Sequence, residues 1–153
     1  MKSEVLFSAK GKAENTDNKK DSAKQIALAI AAGAHVSAYP IESHTFVTDM
    51  SILFIGCEVN GGGKIDRTIR RLLQELSQNK VKLVAVFSIA KNGTVSALAE
   101  IRSILEPKGI KVCEEEFFRK KVSALGGKGF PTEQDTAAAK DFGAMIMAKY
   151  RNV

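Results

Sequence analysis

The sequence predicts an α/β domain in which a parallel sheet carries helices on both faces. Two observations predict this fold class. Short apolar runs, typical of buried strands, alternate along the chain with segments whose apolar residues recur at helical spacing. The 153 residues suffice for one domain with a substantial core, and no repeat or linker divides them, so we expect a single domain over residues 1–153.

Five strands follow from the apolar runs. They cover residues 4–8, 35–39, 52–56, 81–88 and 110–118. The central run is expected to stop at Gly56, where the glycine-rich stretch begins. In the last run, the acidic residues 114–116 are expected to leave the sheet as a solvated segment.

Four helices follow from apolar residues at i, i+3, i+4 spacing. Their faces lie within residues 23–31, 65–76, 97–105 and 133–146. Gly33 is expected to end the first helix, and Pro107 with Gly109 the third. The last begins at a variant capping box, in which Thr132 caps and Asp135 lies three residues on. Its inward residues are expected to be Ala138, Phe142, Met145 and Ile146.

The connection between the second and third strands is unusually short. About nine residues are available, whereas a parallel crossover usually takes about a dozen or more. We expect an abbreviated crossover with a single helical turn or an irregular loop, because the other units fit a parallel sheet.

Composition and charge exclude several classes of function. The net charge is +6, but the lysines are spread along the chain and form no basic stripe, so we expect no nucleic-acid partner. No apolar run is long enough to span a bilayer, and no signal-like segment is present, so we expect no membrane and a cytoplasmic location. Cys57 and Cys113 form no CxxC pair, and His35 and His44 lack ligand-spaced partners, so no metal site is expected.

The stretch after the third strand is the clearest candidate for a site. Gly61, Gly62 and Gly63 follow a buried strand and precede a helix. Loops at the carboxyl ends of parallel strands bind ligands, and backbone without Cβ atoms approaches a flat ligand closely. The alternative is a glycine-rich connector without a ligand.

Three segments carry a resemblance to a known family. They are residues 54–64, residues 84–93, and the tail from Gly127 through Phe130 and Pro131 to Phe142. On these residues the chain resembles the flavodoxin-like family along nearly its whole length. The resemblance implies a doubly wound five-stranded sheet of order 2-1-3-4-5, with flavin mononucleotide (FMN) at the switch point between strands one and three.

The resemblance also implies a phosphate loop after the first strand. The family pattern is hydroxyl-x-Thr-Gly-x-Thr; Ser8 and Gly11 match it, while Lys10 and Ala13 replace the two threonines. Backbone N–H groups, a helix N-terminus and lysine charge could still hold a phosphate, although these lysines could equally be solvated surface. The implied loop residues are Ser8, Lys10, Gly11, Lys12 and Thr16.

Two further loops would hold the flavin ring. The loop after the third strand contributes Glu58, Val59, Asn60, Gly61, Gly62 and Gly63. A carbonyl of Gly61 or Gly62 would change partner as flavin N5 gains a proton. The loop after the fourth strand contributes Ser88, Ala90, Lys91, Asn92 and Gly93, unless it is a plain strand-to-helix turn. No aromatic residue stands where the family stacks one on the ring, so Val59 or Ile89 would substitute in part.

The implied function is an FMN-binding electron carrier, reduced by a redox partner protein and acting as a monomer or homodimer. No catalytic residue is implied. Two alternatives stay open: a flavin-dependent NAD(P)H or quinone-type reductase of the same fold, and a cofactor-free binding module.

Overall fold

The computed structural model describes residues 2–8, 22–43, 49–59, 64–90, 95–121 and 130–152. The strands are β1 Lys2–Phe7, β2 Ser37–Pro40, β3 Met50–Val59, β4 Val81–Ala90 and β5 Lys111–Lys120. The helices are α1 Ser22–Ala34, α2 Arg67–Glu75, α3 Leu98–Leu105 and α4 Glu133–Lys149. All paired strands are parallel, and the sheet order is β2-β1-β3-β4-β5. The predicted fold class and strand order are therefore confirmed.

Helices cover both faces of the sheet. Leu53 and Ile55 of β3 face one core cluster with α2 and α3, whereas Ile52 and Phe54 face the other with α1 and α4. Successive side chains of a strand point to opposite faces, so a strand covered on both sides has no polar alternation. This explains why β3 and β4 read as continuous apolar runs.

Glycines let α1 and α4 pack with their backbones in close approach. A Cβ atom on Gly33 would lie 1.8 Å from the Lys140 carbonyl oxygen, and one on Gly143 would lie 2.2 Å from the Ile30 carbonyl oxygen. The expectation that Gly33 ends α1 is wrong, because the helix continues to Ala34. The left-handed residue that follows the helix is His35, with φ 61°.

The second crossover is abbreviated, as predicted. β2 pairs in parallel with β1, and a short 3-10 turn, Ile41–Ser43, follows it. The described part of the β2–β3 connection contains no α-helix.

β3 and β4 extend further than predicted. β3 runs through Gly56 to Val59, and β4 runs through Ser88 to Ala90. Gly56 does not turn the chain: a Cβ atom there would lie 2.2 Å from the Phe87 carbonyl oxygen, so the glycine lets two strands and a ring pack together. Ile89 and Ala90, which were expected to follow the strand, therefore belong to β4.

The acidic run of β5 stays in the sheet. Its pairing shifts from Val84 opposite Val112 to Val86 opposite Glu116, which places a bulge between them, and the strand then continues to Lys120. Glu115, in the bulge, accepts a hydrogen bond from Tyr150 Oη at 2.6 Å. The expectation of a solvated acidic segment is wrong at this position.

The last helix begins as predicted and packs slightly differently. The capping box between Thr132 and Asp135 is present in both directions. The buried stripe is Ala139, Phe142, Gly143 and Ile146. Met145 is 39% exposed, so its predicted inward position is wrong.

Candidate functional site

The carboxyl ends of all five strands lie at one edge of the sheet, because every pairing is parallel. From β1 the chain passes to β2 on one side, and β3 returns on the other, so the strand order reverses between β1 and β3. Ser8, Glu58, Val59, Ser88 and Ala90 lie at or near this edge. The other predicted ligands lie outside the described residues: Lys10, Gly11, Lys12, Thr16, Asn60, Gly61, Gly62, Gly63, Lys91, Asn92 and Gly93.

Ser8 joins the end of β1 to the start of α2. Its backbone N–H donates to Gly56 O at 3.2 Å, and its hydroxyl donates to Asp66 Oδ2 at 2.6 Å. Asp66 Oδ1 accepts from the Ile69 N–H at 2.9 Å and thereby caps α2. The single hydroxyl hydrogen of Ser8 is thus used by a carboxylate, and in this arrangement none is left to donate to a phosphate.

Ser88 holds the start of α3 against β4. Its side chain is fully buried, and its Oγ accepts from the Ala97 N–H at 3.2 Å. The Oγ of Ser96, two residues before α3, accepts from the Leu98 N–H at 3.2 Å. The hydroxyl of Ser88 therefore has a structural partner inside the fold.

Val59 and Ala90 are opposite one another at the last pairing of β3 with β4. Both are buried in the core on the α2–α3 face, while Ile89 is buried on the α1–α4 face. The side chains of Val59 and Ile89 are both buried in the cores, so neither is exposed at the surface of this edge. The Ala90 carbonyl accepts from the Lys121 N–H at 2.8 Å.

Glu58 forms an ion pair across the edge of the sheet. Its Oε2 lies 3.4 Å from Lys121 Nζ, so the lysine reaches from the end of β5 past β4 to β3. The two side chains are 14% and 28% exposed, respectively. Sequence reasoning missed Lys121, because the contact joins residues 63 positions apart.

The glycine-rich loop is anchored on both sides. Val59 before it is the last residue of β3, and Ile65 after it donates its N–H to Glu100 Oε1 at 2.9 Å. Glu100 also pairs with Arg70 of α2. The ends of this loop are thus fixed by the sheet and by α3, which is what a preorganised ligand loop requires.

Other features of the described residues indicate no competing chemistry. No group of three or more potential metal-binding side chains occurs among them. No helix within the described ranges is long and apolar enough to cross a bilayer. A solvent-open groove of about 610 Å³ lies at the opposite, amino end of β5, lined in part by Gly109, Lys111 and Tyr150. Its lining includes the charged residues Glu106 and Glu114, but it lies away from the carboxyl ends of the strands, where ligands bind in open α/β sheets, so the carboxyl edge is the better candidate.

A doubly wound parallel sheet of this order, with the strand order reversing between β1 and β3, defines a class of ligand-binding α/β folds. Comparison with protein-family models gives no match, and comparison with curated proteins gives none either. Comparison with solved structures narrows the class. An archaeal flavodoxin is similar over 99% of this chain and 100% of its own, at 17% identity and a TM-score of 0.69.

Two further structures extend the similarity. A Fusobacterium nucleatum flavodoxin bound to flavin mononucleotide matches 98% of this chain and 99% of its own, at 12% identity and a TM-score of 0.63. A flavodiiron core from Synechocystis matches 99% of this chain but only 36% of its own, at 16% identity and a TM-score of 0.66. The chain therefore has the flavodoxin-like fold, as its sequence motifs indicated.

Proposed function

We propose that this chain binds FMN at the carboxyl edge of β1, β3 and β4 and carries electrons between partner proteins. The observation that carries the proposal is the anchored glycine-rich loop. It leaves β3 beside the β1–β3 switch point and is held on its far side by the Ile65–Glu100 hydrogen bond. Similar folds that include a flavodoxin bound to flavin mononucleotide support it.

The sequence and the strand ends at this edge suit the ring of such a ligand better than its phosphate. The bare backbone of residues 61–63 would approach the ring, and the buried ends of β3 and β4 would exclude water from below it. At the end of β1, the Ser8 hydroxyl is already used by the Asp66 carboxylate, and Glu58 adds a second carboxylate at the same edge of the sheet. Backbone N–H groups and the charge of Lys10, Lys12 or Lys121 would therefore have to hold the phosphate.

The chain's own residues would bind and orient the cofactor. When bound, FMN supplies one- and two-electron redox chemistry. A backbone carbonyl of Gly61 or Gly62 would accept a hydrogen bond from the N5–H of the reduced ring, which would stabilise the reduced form. The net charge of +6 favours a redox partner with an acidic docking face.

A cofactor-free binding module is the second candidate, and the Ser8–Asp66 hydrogen bond favours it. The Asp66 carboxylate accepts the hydrogen bond of the Ser8 hydroxyl, with 2.6 Å between Oγ and Oδ2. The end of β1 is then left without the hydroxyl donor that the family's phosphate loop uses. The visible spectrum separates the two candidates. Yellow protein, or a 1:1 spectral change on adding FMN, supports the carrier, whereas colourless protein that leaves the FMN spectrum unchanged supports the module.

Two measurements refine the result if FMN binds. Steady oxidation of NAD(P)H without a partner protein would identify the reductase alternative, and its absence would favour the carrier. Gly61→Ala is expected to shift the midpoint potential of the flavin, because it alters the loop beside the ring. An unchanged potential would remove Gly61 from the site.

A further inference from the structure

The Glu58–Lys121 pair lies on the face of the sheet that carries α1 and α4. Phe54 of β3 belongs to the core on that face, and Glu58 is four residues further along the same strand. Ile89, the residue opposite Glu58 on β4, belongs to the same core. On β5, Arg119 points to this face as well, because it pairs with Asp135 of α4 at 3.3 Å. The ion pair therefore crosses above Ile89.

The same face is where an anionic tail would arrive. The chain leaves β1 to form α1, so a phosphate loop after Ser8 leads to the α1 side of the sheet. The starts of α1 and α4 meet there, since Ser22 Oγ of α1 donates to Phe130 O just before α4 at 3.3 Å. Helix N-termini at one corner favour negative charge.

The lysine is fixed by its backbone but loosely held by its charge partner. The Lys121 N–H donates to Ala90 O at 2.8 Å, which places the residue at the end of β4. Its ammonium lies 3.4 Å from Glu58, longer than the roughly 2.7–2.9 Å of a strong charge-assisted hydrogen bond. The Lys121 side chain is 28% exposed, so its ammonium is accessible to another anion that arrives at this edge.

A phosphate would compete well for this ammonium. A phosphate monoester carries about −1.5 to −2 charges at neutral pH, whereas the Glu58 carboxylate carries one. Glu58 is a carboxylate on this face of the same edge, and a phosphate that arrived beside it without a cation would be repelled, because like charges at short range repel. Lys121 is the described cation that contacts this carboxylate.

We propose that Lys121 is a phosphate-binding residue of this site and that Glu58 is its counter-ion in the ligand-free chain. The ammonium passes from Glu58 to the phosphate of the ligand when the ligand binds. The inference rests on the proposed function for the identity of the ligand, a planar molecule with a phosphate tail. It adds a residue from β5 to a site otherwise built from β1, β3 and β4.

Paired titrations with FMN and riboflavin test the proposal, because the two ligands share the ring and differ in the phosphate. Each is titrated into the full chain, the Lys121→Met variant and the Glu58→Gln variant, with flavin fluorescence as the readout. Lys121→Met is expected to weaken FMN binding about tenfold and to leave riboflavin within roughly twofold. Glu58→Gln is expected to tighten FMN binding severalfold, because it removes the competing charge.

Lys111→Met is the matched control. It removes the same charge from the opposite end of β5, about 30 Å away by the rise of a strand. It should leave both affinities unchanged, and thermal melting of all variants checks that they fold.

Three results would overturn the inference. They are an equal loss of FMN and riboflavin binding in Lys121→Met, no loss of either, or a Glu58→Gln variant that binds FMN as weakly as Lys121→Met. If the unaltered chain binds neither ligand, the proposed function falls together with the inference. If it binds both and the variants behave alike, only the inference falls.

Discussion

The hydrogen-bonded link from Ser8 to Asp66 should contribute more to stability than an ordinary helix cap. Asp66→Ala removes two hydrogen bonds at once, from the Ile69 N–H at 2.9 Å and from the Ser8 hydroxyl at 2.6 Å. Losing a cap costs about 1 kcal/mol, and losing a hydrogen bond to a charged group costs about 1.5–3 kcal/mol. We expect the free energy of unfolding to fall by about 3 kcal/mol.

Urea denaturation at neutral pH measures this change in the free energy of unfolding. Two further variants separate the part due to the link from the part due to the helix cap. Ser8→Ala removes only the link and should cost about 2 kcal/mol. Thr132→Ala is the matched control, because it removes the cap of α4 without a link across the fold and should cost about 1 kcal/mol. The reasoning would be refuted if Asp66→Ala were no more destabilising than Thr132→Ala.

Three further predictions concern the core and the acidic bulge. Cys57 and Cys113 are buried, and burial raises the pKa of Cys113 to about 12. Neither thiol should therefore react with a thiol reagent until urea unfolds the protein, and labelling of the native protein would contradict this. Gly33→Ala should destabilise by about 1–3 kcal/mol in thermal melts, because its Cβ would meet the Lys140 carbonyl, and an unchanged melting temperature would show that the two helices separate easily. Hydrogen bonds from Lys149 and Tyr150 lower the pKa of Glu115 from 4.5 to about 2. The ionised Glu115 therefore contributes fully to the free energy of unfolding above pH 4.5, and this contribution is lost as the pH falls towards 2. Because the Glu115 side chain is 24% exposed and solvent screens the interaction, the loss of stability should be only about 1 kcal/mol. The Glu115→Gln variant should not show this loss. If the stability of the two proteins falls identically with pH, the predicted contribution of Glu115 is excluded.

Local patterns in the sequence were enough to predict the fold. Continuous apolar runs indicated strands covered on both faces, and helical spacing between them indicated crossovers, so the parallel sheet followed. The family motifs supplied the strand order, which periodicity cannot supply. The incorrect predictions concern glycine, which can either end a helix or strand or allow two backbones to pack closely. Gly33 and Gly56 fit the pattern of chain breakers in the sequence, whereas in the fold both make room for a neighbouring backbone.

The contacts at the candidate site could not be predicted from local patterns. Asp66 lies 58 positions from Ser8, and Lys121 lies 63 positions from Glu58. Such pairs depend on strand order and register, and a shift of one residue would turn Glu58 to the opposite face. A sequence clue did exist for Asp66, because an aspartate just before an apolar helical face is a common N-cap.

The central claim is that the carboxyl ends of β1, β3 and β4 form one crevice that accepts FMN. Amide NMR spectra of the labelled chain, recorded during addition of FMN, test it most directly. The account predicts that the signals of Ser8, Val59 and Ala90 shift and saturate together. Signals of Gly109 and Lys111, in the groove at the amino end of β5, should stay in place. Shifts confined to that groove, or a spectrum that FMN leaves unchanged, would contradict the account.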